Sequence, residues 1–227
     1  MADTTSADTS SREQLSICKL ILVPAIITLG ITLIRLVGEL QNWPSPLFGK
    51  AAGGGGSIVG ITWLAPVFGV YFALKLVRAG RAPASVARAI GMAVLGALII
   101  VGTSMAGGKL LAPYGYKAVL IFFWLTWALA GLLQCFGWPQ FFKVLLAYAL
   151  AARVPVVLVM FLAFWRQWGT HYDALPSGWQ SGGLWSDYLW MGFFPQLLLW
   201  VGYTIAAGAL FGSITAGIMR LLRRSTT

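Results

Sequence analysis

Between Tyr188 and Met219 the chain runs for more than thirty residues without an Asp, Glu, Lys or Arg, and that stretch decides what kind of fold is open to it. As an α-helix rising 1.5 Å per residue it would be about 45 Å long, against a hydrocarbon core of about 30 Å. A helix of that length and polarity belongs in lipid, but it cannot lie wholly inside it. The proline at position 195 predicts a break or kink in this last helix, with residues 188–194 along the interface and 195–219 spanning.

Five further apolar runs precede it, at about residues 16–38, 58–77, 89–106, 117–136 and 141–165. With 59% hydrophobic and 10% charged residues in 227 positions, against about 25% charged in soluble domains, little is left over for an aqueous domain. The expected fold is an all-α integral membrane protein with six transmembrane helices over 15–222. Residues 1–14, rich in Ser, Thr and Asp and lacking apolar periodicity, read as a disordered cytoplasmic tail, and 223–227 as a basic cytoplasmic tail.

Counting Lys and Arg between the spans sets the orientation. One side carries Arg12, Lys19, Lys75, Arg78, Arg81, Arg88, Lys143, Arg220, Arg223 and Arg224, and the other Lys50, Lys109, Lys117 and Arg166. Basic residues accumulate on the cytoplasmic side, so ten against four places both termini inside and requires an even number of spans. The expected location is a bacterial inner (cell) membrane. In this setting the net charge of +10 reflects topology and contact with the anionic headgroups of the lipid bilayer rather than nucleic acid.

Two arginines fall within spans. Arg35 has Glu39 four residues on, one helical turn away on the same face, and the two can pair; alternatively Arg35 reaches out to headgroups while Glu39 sits at the interface. Arg153 lies deep in its run, where ionisable groups face protein or water rather than lipid. The six carboxylates are Asp3, Asp8, Glu13, Glu39, Asp173 and Asp187, and only Glu39 is near a span. If Arg35 holds Glu39, then Arg153 must turn to carbonyls, to polar side chains such as Gln134, Gln196, Tyr148 or Tyr203, to a lipid phosphate or to an anionic ligand. Pro155 frees a carbonyl in the same helix as one such acceptor.

The loop between the last two spans carries His171, Asp173 and Asp187, either a thin acid–base or metal site or simply a solvated loop, and with them a belt of Trp and Tyr that reads as an interfacial anchor or as a ligand lid. Residues 53–56, four glycines, lack the Lys-Ser/Thr ending of a phosphate loop and read as a flexible or re-entrant connection. Gly208 and Gly212, continued by Ala216, form a small-xxx-small face, and Gly56 with Gly60 forms another; both predict close helix packing, within the chain or against a membrane-protein partner. Cys18 and Cys135 stand apart in apolar surroundings, and His171 is the only histidine, which leaves no set for a bis-His metal or haem site. No cofactor, metal or catalytic group is expected. Three functions stay open: binding or transport of a small anionic solute or lipid, a structural or assembly subunit of a membrane complex, and a lipid-modifying enzyme, for which no paired carboxylates or metal motif are present.

Overall fold

The computed structural model describes residues 16–54 and 56–224, so the expected disordered tail at 1–14 and the end of the basic tail lie outside the described residues. Within them the chain is all-helical. Six main helices are α1 (Ile17–Leu40), α2 (Leu64–Arg78), α3 (Val86–Leu111), α4 (Tyr116–Leu132), α5 (Pro139–Arg166) and α6 (Val201–Arg224). Five helical stretches are long and apolar enough to cross a membrane: Ile17–Leu40, Val86–Tyr114, Tyr116–Gly137, Pro139–Arg166 and Leu184–Arg223. These suit an α-helical protein embedded in a membrane.

The second predicted span differs. Helix α2 has 15 residues, about 22 Å at 1.5 Å per residue, and begins at Leu64 rather than near 58. Gly53, Gly54 and Gly56 have φ of 77°, 72° and 79°, a left-handed backbone no helix continues through, and residues 58–63 follow as bends and turns. Gly56 and Gly60 therefore lie in a loop, and the helix-packing role expected of them is corrected: without a helix there is no common face for them to share.

The last stretch also departs from expectation. Helical dihedrals continue through the junctions at Asp187, Phe194 and Val201, with φ of −64°, −63° and −64°, so there is no break at Pro195. The irregularity is instead a widening, with π-helical segments Tyr188–Phe193 and Pro195–Trp200 on either side of Phe194. Pro195 opens the second of these segments, where its missing N–H and its ring are absorbed by the altered register. Residues 188–194 accordingly stand in the helix, with Tyr188 and Gly192 buried.

Helix α1 presents large apolar side chains outward and mostly small or polar ones inward. On α1 the exposed residues include Leu22, Val23, Ile26 and Leu33, while the buried face is Leu20, Pro24, Thr28, Thr32, Arg35 and Glu39, recurring every three or four residues. This is the arrangement of a body whose solvent is lipid, in which packing and interhelical hydrogen bonds rather than hydrophobic exclusion hold helices together. The interior between α2, α5 and α6 is filled by Phe72, Phe141, Leu145 and Tyr148. Helices α2 and α6 approach so closely at Gly69 and Gly208 that a Cβ on Gly69 would lie 2.6 Å from the Gly208 Cα. Gly212 and Ala216 continue that face, with Gly212 against Phe141 and Gly69 and Ala216 buried. The predicted small-residue face is thus occupied inside the chain.

Candidate functional site

The inward face of α1 ends in a charged cluster. Arg35 Nε donates to Glu39 Oε1 at 2.8 Å, as the one-turn spacing requires, and both side chains are buried. Outward reach of Arg35 to headgroups is therefore not what occurs. The loop after α1 folds back over the guanidinium, and Nη2 donates to the carbonyls of Gly49 and Gly54, each at 3.2 Å. A Cβ on Gly54 would lie 3.0 Å from His171 Cδ2, so this glycine is needed both for its positive φ and for the closeness of the histidine.

His171 comes from the loop that follows α5. That helix ends where Gln167 turns left-handed at φ 54°, and Asp173 then ties the turn by accepting from the Gly169 N–H at 2.8 Å and from the Thr170 N–H and hydroxyl, each at 2.7 Å. The turn aims His171 back at α1. Its backbone N–H donates to Glu39 Oε2 at 2.8 Å, and its Nδ1 lies 2.5 Å from Glu39 Oε1. A carboxylate already accepting from Arg35 and the backbone can only accept again, which assigns the ring proton to Nδ1 and leaves Nε2 as an acceptor. Burial holds the His171 imidazole below its ordinary range, opposed by the Glu39 hydrogen bond and reinforced by the nearby Arg35 charge. Tyr172, the next residue, donates to the Thr32 carbonyl at 3.2 Å and locks the loop to the middle of α1.

Arg153, on α5, is 4% exposed and has no carboxylate partner among the described residues. Nη1 donates to Gln196 Oε1 at 3.3 Å and Nη2 to Thr204 Oγ1 at 3.5 Å, both long, and the guanidinium lies 5.0 Å from the Trp200 ring centre. Its Nε is buried without a hydrogen-bond partner. The other two buried donors left unpaired among the described residues are Trp124 Nε1 and Trp127 Nε1.

A cavity of about 310 Å³ joins these groups. Arg35, Arg153 and His171 all line it, and Trp124, Tyr172, Trp190 and Trp200 form aromatic walls. At about 30 Å³ per liquid water the space equals roughly ten waters, at the small end of ligand pockets. Among the described residues no carboxylate lines it. Its lining carries the positive charges of Arg35 and Arg153, and two of the lining residues, Arg153 and Trp124, each have a buried side-chain donor left unpaired.

The structure brings together Arg35, Glu39, His171 and, across the cavity, Arg153. It separates the other two loop candidates. Asp173 serves the turn before His171, and Asp187 accepts from Trp179 Nε1 at 2.8 Å, Ser181 Oγ at 2.5 Å and the Gly182 N–H at 3.2 Å. An acid–base or metal triad of His171, Asp173 and Asp187 does not form, because each carboxylate is consumed by its own loop; no group of three metal-binding side chains occurs among the described residues. Nor is His171 a solvated loop residue. Sequence reasoning missed Trp124 and Trp200 at the cavity and Thr204 as a partner of Arg153, since Thr and Trp inside apolar runs carry no signal of which way they face. Gly60, read as a packing residue, lines the cavity beside Arg35. Comparison with protein-family models, curated proteins and solved structures gives no match for this chain.

Proposed function

We propose that this protein is a six-span membrane protein, both termini cytoplasmic, that binds a small anionic solute or lipid headgroup in the cavity between Arg153 and Arg35, as a carrier in the cell membrane. The observation that carries the reading is Arg153, a buried cation whose Nε is unpaired and whose other two nitrogens make only long bonds to neutral oxygens. A charge kept out of water without a counterion is costly, and an anion in the adjoining space would supply what the protein does not. The ten-to-four bias of basic residues supports the orientation, and α2, led in by a non-helical segment, serves as the sixth span.

The test is binding to the purified protein in a neutral detergent. Benzenesulfonate, anionic at all working pH values, should bind, whereas neutral benzenesulfonamide should bind at least tenfold more weakly; Arg153→Met should lose the difference, since a charge-assisted bond is worth about 1.5–3 kcal/mol. Nanodiscs containing phosphatidylglycerol or phosphatidylcholine distinguish a lipid headgroup from a free solute, because retention of the anionic lipid alone identifies the headgroup. Equal binding of sulfonate and sulfonamide, with no preference for either lipid, overturns the proposal.

A further inference from the structure

Resting on that reading, we infer that the cavity binds its anion together with a proton, taken up at Nε2 of His171, so that anion and proton form one bound unit. The geometry supplies each requirement. His171 lines the same cavity as Arg153, and its Nδ1 is committed to Glu39, so Nε2 is the atom at which a proton can be added. The Nε2 edge lies at the cavity wall beside Gly54, where a Cβ would come within 3.4 Å of it, and no described group hydrogen-bonds to it. Adding the proton converts imidazole to imidazolium, forming one N–H bond with a proton drawn from the buffer and breaking none in the protein.

The charges around His171 determine how the two events are linked. From α1 it faces Arg35 and Glu39, which are paired with each other. From its own loop it has Tyr172 and Asp173, the latter turned to the backbone of residues 169 and 170. Across the cavity are Arg153 of α5 and Tyr116 of α4. The loop over the ring offers glycine and carbonyl groups, and Lys50 is turned away to Asn42 Oδ1 at 2.8 Å. With the cavity empty, a positive charge on the ring, the third at the site, faces two arginines and one shared carboxylate, and burial already disfavours it. An anion on Arg153 removes that opposition, and by reciprocity a protonated His171 strengthens the hold on the anion.

The experiment is calorimetric titration of benzenesulfonate into the detergent-purified full chain. Bis-tris and imidazole, buffers of different ionisation enthalpy that are not anions, are used at pH 6.5, and affinities are compared at pH 5.5 and 8. The expected result is uptake of up to about half a proton per site and affinity about tenfold tighter at the lower pH, both the size of a one-unit change in pKa. His171→Gln should still bind, with neither uptake nor pH dependence, and His171→Asn serves in its place if the glutamine variant does not fold. Wild-type binding with no uptake and equal affinity at both pH values overturns the coupling while leaving anion binding intact, as does the same pH slope in the histidine variants. Absence of benzenesulfonate binding at every pH overturns the coupling as stated, and together with no preference for phosphatidylglycerol over phosphatidylcholine it overturns the anion reading as well.

Discussion

Replacing Arg153 by methionine should make the empty protein more stable. The guanidinium is 4% exposed, and taking an unpaired ion out of water costs several kcal/mol after relaxation. In return it gains two bonds of 3.3 and 3.5 Å to neutral oxygens and the stacking on Trp200, the last worth about 1–2 kcal/mol. Methionine, unbranched and flexible, fills most of the same path. Thr204 keeps its bond to the Trp200 carbonyl at 2.7 Å, and Gln196 Oε1 alone loses its partner, at about 1 kcal/mol. The balance is a gain of about 1–2 kcal/mol, in line with replacements of buried charge by apolar groups. At roughly 2–4 °C per kcal/mol for a chain of this size, thermal unfolding in detergent without ligand, followed by tryptophan fluorescence, should move up by about 2–8 °C. A fall of that size would refute the reasoning, since it would mean that Arg153 is a satisfied structural residue.

Two further perturbations probe the frame and the loop. Gly69→Ala places a Cβ 2.6 Å from the Gly208 Cα, where only backbone could yield; overpacking of this kind costs about 1–3 kcal/mol, and the unfolding temperature should fall by several degrees. His171 has its pKa depressed by burial from 6.5, so the folded state binds fewer protons than the unfolded one between the depressed value and 6.5. Its stabilising contribution is present above about 6.5 and lost as pH falls through the folded value. The unfolding temperature of the ligand-free protein should therefore decline as pH is lowered from 7 to 5, and His171→Asn should flatten that decline.

Long apolar runs made five of the helices legible, because hydrophobicity over about twenty residues is a signal that no tertiary contact can imitate. The region before α2 was misread because hydropathy counts a glycine tract and the apolar residues after it as helix, whereas three positive φ values turn the chain over Arg35. The pairing of Arg35 with Glu39 was readable from helical periodicity, and the isolation of Arg153 from counting carboxylates. What could not be read was His171. Its partner is 132 residues away, and it is delivered by a turn that Asp173 closes, a local hydrogen-bond pattern with no sequence periodicity. Pro195 shows the converse, a local rule correctly applied that the helix evades by widening rather than breaking.

The two buried arginines represent opposite solutions to the same problem, and the difference suggests a decisive substitution. Arg35 has a carboxylate 2.8 Å away and two carbonyls. Arg153 has Gln196 at 3.3 Å, where a single change of nitrogen to oxygen would supply the missing charge. Gln196→Glu is nearly isosteric and places a carboxylate where we propose that the anion acts. Its internal pair would occupy Arg153, so benzenesulfonate affinity should drop tenfold or more although the arginine and the cavity both remain. Stability without ligand should hold or rise, since a paired buried charge replaces an unpaired one; the lost Gln196 contact is only the 3.5 Å one to Met160 Sδ. The same carboxylate should also raise the proton affinity of His171 without ligand, bringing its folded value back toward 6.5 and so shrinking the low-pH loss of stability. If Gln196→Glu binds benzenesulfonate as tightly as wild type, then Arg153 is not the anion's partner, however exposed its need for one.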